Sequence, residues 1–423
     1  MQRASTRTRT TRGFRLCRLW RVGNVRSRTL TTRDTSKDQP VLRTSELEYD
    51  LPEDRIAIEP ASPRDSALLM AVDRRRGSIL EHAQVRDLPR FLRAGDVLVF
   101  NTTKVVPARL VGTREDTGGA MEGLFLSRSR EGDTERWVAL LRAKKVRPGL
   151  RFALENRLGE PSGVVLTAIG RVEGEAGAWA VGVENAAGGD ALERAGHTPL
   201  PPYIIKAREH AHRQSDEATD LARYQTVYAR SEGSVAAPTA GLHFTPELMS
   251  ALEKMEVERV DVTLHVGTGT FRPVEVDVVE QHPMHTESCS MSKEAVARVL
   301  RATQEGRRVI AIGTTSARTL ESYARAFDAL PGSGEGAPAA IERLPESIDT
   351  SILITPGYRW RWVTGLMTNF HLPRSTLLAM VGAFIGAGAG DSGISSLRAL
   401  YVEAIRMRYR FYSYGDAMLV LDR

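Results

Sequence analysis

The chain has 423 residues, 42% of them hydrophobic and 26% charged, the mix of a soluble globular protein of two or three domains. This excludes global disorder, collagen and coiled coil, and the longest nearly uncharged apolar stretch, residues 376–390, is too short and glycine-rich for a bilayer span of about 18 or more apolar residues. The net charge of +6 is uneven: residues 1–33 hold ten arginines and no acid, and removing those ten from 58 basic residues leaves 48 against 52 acidic ones. A polyanion would then be held by local basic patches, since the overall field does not attract it. Two cysteines, Cys17 and Cys289, exclude a disulfide framework or a cysteine zinc site and point to a reducing compartment.

Residues 1–41 read as a leader outside the fold. Their Arg, Thr and Ser content fits a disordered or artefactual tail, an organelle-targeting segment, or a basic RNA-binding arm. The folded chain starts near Leu42. Residues 96–109 hold two β-branched runs around Asn-Thr-Thr, read as strands joined by a turn. From 119 to 196, short apolar runs (122–126, 137–141, 164–169 and 179–183) alternate with Gly, Pro and charged turns, which predicts a barrel-like all-β domain with loops at its edge over 174–196. This domain is expected as an insertion in a discontinuous α/β domain formed by 42–118 and 197–423.

In the second α/β segment, Thr245 is placed to cap a helix opening at Pro246. Val260, Val262, Leu264 and Val266 alternate as a half-buried strand. Ser292 caps a helix ended by Gly306. Residues 309–312, 352–355 and 417–421 read as buried strands, 397–408 as a helix, and 332–345 as a surface loop.

The chemistry-bearing motifs lie in this second segment. Small residues before His243 in AAPTAGLHF allow close approach to a ligand, and the imidazole titrates near neutrality; a buried core histidine is the plainer reading. HVGTGTF (265–271) lacks the third glycine of a dinucleotide loop and reads as a glycine-permitted close contact or bulge. His282, His285 and Glu287 cluster in sequence without a full metal-ligand set, leaving proton transfer, structural hydrogen bonding or a metal-dependent hydrolase open. Thr314, Thr315, Ser316 and Arg318 join a strand to a helix start suited to a carboxylate or phosphate, with an Arg318–Glu321 helical pair as the alternative. Asn369 and His371 sit on a loop before an apolar helix. Tyr409 to Asp416 interleaves aromatics with Arg410 and reads either as a base-stacking surface or as a core-edge cluster whose turn Asp416 closes. Basic patches occur at Arg142, Lys144, Lys145, Arg147 and Arg151, at Lys206, Arg208 and Arg213, and at Arg406, Arg408 and Arg410.

Taken together, YDLPEDRIAIEPASPRDSALLMAVDR, GDVLVFNTTKVVPARL, PLPPYI, RYQTVYA, VAAPTAGLHF, TLHVGTGTF, HPMHTE, GTTSARTLES, PGYRWR, TNFHLPRSTLL and YRFYSYGDAML closely resemble the S-adenosylmethionine:tRNA ribosyltransferase-isomerase family of queuosine biosynthesis. The resemblance runs from about Tyr49 to Leu421. Thr102 and Lys104 stand where Asp and Arg are expected, and 386–393 reads as a short loop elaboration. The resemblance implies an α/β domain carrying an inserted β-barrel. It also implies transfer and isomerisation of the ribosyl part of S-adenosylmethionine onto 7-aminomethyl-7-deazaguanine at the tRNA wobble position, giving epoxyqueuosine-tRNA, adenine and methionine. S-Adenosylmethionine is then a co-substrate and tRNA the partner; no prosthetic group, metal or membrane is expected, and the protein is expected to be a cytoplasmic monomer. On this reading His243, His285, Glu287 and Asp416 are expected to serve proton transfer. Thr314, Thr315, Ser316 and Arg318 would hold the methionyl carboxylate, Asn369 and His371 adenine or ribose, and Arg223, Tyr224, Gln225 and Tyr228 the modified base. The rival is a non-catalytic tRNA-binding protein on the same scaffold.

Overall fold

The computed structural model describes residues 41–131, 134–173, 177–185, 188–213, 216–267, 273–330, 337–386 and 393–422. The expected leader, Cys17, most of the glycine-rich segment after Val266 and the elaboration after Gly386 fall outside these residues.

Two sheets organise the described chain. The larger has nine strands in the order Ser347–Thr350, Glu287–Ser290, Glu258–Leu264, Val97–Asn101, Val309–Ile312, Gly365–Asn369, Ala417–Leu421, Leu68–Asp73, Ser78–Gln84. Four neighbouring strands, from Glu258–Leu264 to Gly365–Asn369, run parallel to one another. Their runs, such as VLVF and VIAI, are buried throughout, as parallel strands covered on both faces must be. The expected strand at 309–312 and the alternation of Val260, Val262 and Leu264 appear as read, the latter three buried.

The helices follow their caps. Thr245 Oγ1 accepts from the Leu248 amide, opening Pro246–Lys254, and Ser292 accepts from Ala295, opening Lys293–Gln304. Helix Thr314–Asp328 packs in the larger core through Ala317, Leu320, Tyr323 and Ala324.

The smaller sheet is a closed antiparallel barrel. Strands Arg109–Arg114, Ala120–Glu131, Thr134–Arg142, Ala178–Asn185, Pro161–Arg171 and Arg151–Glu155 are paired in that order, and the last pairs back to the first. Closure leaves no sheet edge on these six strands, the route by which barrels avoid edge pairing. Inward residues alternate along each strand and fill the interior with Phe125, Trp137, Phe152, Leu166 and Val181. The sheet begins at Arg109, one strand before residue 119, and the short strand Gly196–His197 adds to it.

Three expectations change. Residues 352–355 form no strand: the chain pairs earlier, at Ser347–Thr350, and Ile352 and Ile354 are buried in the irregular segment that follows. Within the expected loop 332–345, Ala337–Arg343 is a helix, its Ala340 and Ile341 buried in the larger core. The span 174–196 supplies a full barrel strand and the helix Ala191–Ala195, capped by Asp190.

Gly313 joins Val309–Ile312 to the helix at Thr314 with φ +91 and ψ 156. Only glycine adopts that region at low cost. Gly313→Ala should therefore lose about 1–3 kcal/mol of stability, read as a lower urea midpoint with an unchanged slope.

Candidate active site at the carboxyl edge of the sheet

In an open sheet with parallel strands, ligands bind beyond the carboxyl ends of those strands. Here the ends are Asn101, Leu264, Ile312 and Asn369, and the turns leaving them converge. Asn101 ties them together. Its Oδ1 accepts from the amides of Leu264 and Thr103 at 3.0 and 3.1 Å, and its Nδ2 donates to the Leu264 carbonyl at 3.0 Å and Thr315 Oγ1 at 3.2 Å. Nothing about Asn101 in sequence separated it from an ordinary turn residue.

A cleft open to solvent, with about 710 Å³ of space when the solvent at its mouth is counted, lies over this edge. Thr314, Thr315, Asn369 and His371 line it, with Thr239 and Ala240 on one side and Tyr203 and Tyr412 on another. Four of the expected ligand-binding residues therefore meet in one place. Tyr203 was not singled out from sequence, and Tyr412 only as part of the aromatic run 409–416; they stack edge to face at 4.9 Å, and Tyr412 holds a left-handed φ of +73. Such strain in a non-glycine residue is concentrated at functional sites.

His243 lies beneath the cleft and does not line it. Asn369 stands between: its Oδ1 accepts from Thr239 Oγ1 at 3.0 Å, and its Nδ2 donates to His243 Nε2 at 3.3 Å. Burial, reinforced by the charges of Arg410 and Arg64, lowers the His243 pKa to about 3. A neutral imidazole with its acceptor nitrogen occupied orients Asn369; it is not placed to exchange a proton with a ligand. Burial likewise lowers His371 to about 3, and its Nε2 is 2.7 Å from Thr368 Oγ1.

Arg318 separates from Thr314 and Thr315. One helical turn on, it lines a second, smaller chamber together with His282, His285 and Glu287. Leu377 lines both spaces. Arg318 Nη1 pairs with Glu287 Oε2, and Glu287 Oε1 accepts from the Gly267 amide at 3.0 Å. Burial lowers the His282 pKa, and the neighbouring His285 adds to the effect. Among the described residues, no group of three or more His, Cys, Asp or Glu is placed to hold a metal ion.

Several expected site residues are committed elsewhere. Asp416 is buried under the strand Ala417–Leu421, accepting from the Leu68 amide at 3.1 Å, the Arg410 amide at 2.7 Å and Arg410 Nη2 at 3.0 Å; it closes the turn. Ser316 Oγ donates to the Ile312 carbonyl. Glu321 does not pair with Arg318: it accepts from the amides of Arg361, Trp362 and Val363 and from the Tyr358 hydroxyl. Gln225 makes both of its amide bonds to the Val105 backbone. Tyr224 packs against Tyr414, and Tyr228 against Phe100; Arg223 is half-buried beside Glu59. None of residues 223, 224, 225 and 228 lines the cleft, because the segment after helix Glu217–Arg223 turns its rings into the core.

The aromatic run divides the same way: Tyr409, Phe411, Tyr412 and Tyr414 are all buried, and of these Tyr412 lines the cleft. Of the basic patches, Arg208 is buried against Asp220 at 2.6 Å, and Arg406, Arg410 and Arg151 pair with acids. Lys206, His210, Arg213 and Arg410 line a groove that shares Tyr203, Leu372 and Tyr412 with the cleft.

The model of the family described as "Queuosine biosynthesis protein" matches residues 44–420. The chain belongs to this family. It is 45% identical over 392 residues to the S-adenosylmethionine:tRNA ribosyltransferase-isomerase of Mesorhizobium japonicum, covering 90% of this chain and 98% of the relative. With the protein of the same name from Symbiobacterium thermophilum it is 46% identical over 381 residues, covering 90% and 100%. The crystal structure of S-adenosylmethionine tRNA ribosyltransferase from Thermotoga maritima is 31% identical, covering 89% of this chain and all of that one, with a TM-score of 0.45. Among the described residues of this queuosine-family chain, no helix is long and apolar enough to cross a membrane.

Two tests address the site of this family member. A Cβ on Gly241 would sit 1.9 Å from the Tyr228 hydroxyl, so Gly241→Ala should destabilise, and Tyr228→Phe in the same chain should restore part of the loss. Tyr228→Phe alone should leave turnover within about twofold, since the hydroxyl is buried without a partner among the described residues. A drop beyond tenfold would return Tyr228 to the site.

The second test uses pH. His243 has a folded pKa of about 3 against an ordinary 6.5, so between these values the unfolded chain binds a proton that the folded chain does not. Stability should rise with pH through that window and level off above it. His243→Gln should flatten the rise by at most about 1.4 kcal/mol per pH unit, measured by urea unfolding at pH 5 and 7.

Proposed function

We propose that the protein transfers and isomerises the ribosyl part of S-adenosylmethionine onto the aminomethyl group of a 7-deazaguanine at the tRNA wobble position, releasing adenine and methionine. The observation that carries this reading is the match to the family over 44–420, in a chain whose sheet edge holds a cleft and an adjoining chamber.

On this reading the adenosyl half occupies the cleft. Asn369, oriented by His243 and Thr239, offers an amide to adenine or ribose; His371, held neutral, contributes hydrogen bonding and no charge. Thr314 and Thr315 present hydroxyls at the helix start. Arg318 anchors the methionyl carboxylate. The reaction needs a base for the C–H beside the sulfonium and an acid for departing adenine. Of the expected proton-transfer residues, His285 is the one that lines a ligand space and is only partly buried. Glu287 serves it indirectly, through its bond to Arg318. Lys206 and Arg213 of the neighbouring groove, which also carries Glu53, Asp54 and Glu59, supply cations that meet phosphates of the anticodon arm. The enzyme then works as a cytoplasmic monomer without a prosthetic group.

The direct experiment incubates the protein with S-adenosylmethionine and tRNA carrying 7-aminomethyl-7-deazaguanine, and follows adenine and methionine by mass spectrometry. Release of both, with epoxyqueuosine in the tRNA, is expected; no adenine would end this reading. His285→Ala should lower the single-turnover rate by about 100-fold or more, with S-adenosylmethionine affinity within about threefold. An unchanged rate would remove His285 from the chemistry.

A further inference from the structure

The second chamber has a polar end and an apolar wall. At the polar end, Arg318 is 2% exposed and spends only Nη1 on Glu287. Its Nε and Nη2 have no hydrogen-bond partner among the described residues. Buried, unmade donors are costly, and those on a cation most of all. Nε and Nη2 are also the two donors that lie side by side on one flank of a guanidinium, the pair that a carboxylate engages with both oxygens. The wall is formed by Met284, Ile352, Ile354, Leu377 and Met380, with Ile352, Ile354 and Met380 at most 5% exposed. A carboxylate fork beside an apolar, partly thioether wall suits an α-amino acid with a linear apolar side chain.

The chamber and the cleft are distinct spaces that meet at Leu377. We propose that they are separate product sites: L-methionine is held in the chamber by Arg318 while adenine is held in the cleft, and both are bound at once. This rests on the reaction proposed above and extends it, since one S-adenosylmethionine spans both spaces and its two fragments then leave from different ones.

The test is equilibrium dialysis of labelled L-methionine against the full chain, with and without saturating adenine. L-Methionine affinity should change by less than about threefold when adenine is added. Competitive displacement would overturn the proposal, because it would put both fragments in one space. Arg318→Lys keeps a cation for Glu287 but loses the fork, so L-methionine affinity should fall by about tenfold or more, with adenine affinity within about twofold. Unchanged methionine binding in this variant would overturn the assignment. Met284→Trp, at a half-buried position of the wall, leaves the ion pair intact and serves if Arg318→Lys does not fold; it should weaken L-methionine and spare adenine, and unaltered methionine binding counts against the chamber. If wild-type protein turns over S-adenosylmethionine but fails these tests, the chamber assignment alone is wrong. If it binds neither S-adenosylmethionine nor adenine, the reaction itself is wrong.

Discussion

Four parallel strands end at one edge, and that constraint places everything chemical in this protein. A parallel strand cannot be followed by a tight hairpin; its chain must leave the sheet and cross over. Each crossing therefore begins at the same edge, and the residues just after the strands are brought together from distant parts of the chain. Asn101 fixes this convergence. It saturates its side-chain amide on Leu264, Thr103 and Thr315, so the strand ends and the start of the helix at Thr314 are held in one register.

Desolvation then sorts the polar residues near that edge. His243 and His371 are kept neutral by burial, which suits them to hold amides and hydroxyls in fixed orientation. The Arg318–Glu287 pair takes the opposite course. A buried ion pair gains little net stability over apolar packing, and breaking one leaves an uncompensated charge. Two of the Arg318 donors have no partner among the described residues, and on the proposed reading a ligand carboxylate completes the guanidinium's bonding. Burial also pushes the Cys289 thiol up to about 12, so it behaves as a small apolar residue of the core.

The barrel is a closed unit with its own apolar interior, and its pairing saturates its backbone without help from the larger sheet. The cleft draws no residue from the six barrel strands. The ligand edge and the barrel are thus separate outcomes of one chain, and the short strand Gly196–His197 on Arg109–Arg114 marks where the chain returns from one to the other.

Much of the fold was legible in the residues because its causes are local. Threonine and serine before Pro246 and Lys293 cap helices wherever they occur, the runs VLVF and VIAI have no face to expose, and alternation over 119–196 forces two-faced strands. The α/β and barrel classes followed from these periods. The cleft-lining residues after Ile312 and before the helix at Thr376 stood out for a related reason: they are short polar segments that directly follow buried strands. What sequence could not decide was direction and partner. Tyr224, Gln225 and Tyr228 form as suggestive a motif as any in the chain, yet their side chains turn inward, because helix Glu217–Arg223 fixes where the next residues point. Arg318 had Glu321 one turn away and a carboxylate across the fold; the tertiary structure gave it Glu287, since Glu321 is captured by the amides of Arg361 to Val363. Ile352 and Ile354 have the apolar character of a strand but line a chamber, because pairing partners were used up by Ser347–Thr350. Local patterns set which residues are buried or capped; which groups face each other across a cleft depends on long-range packing that no short window of sequence contains.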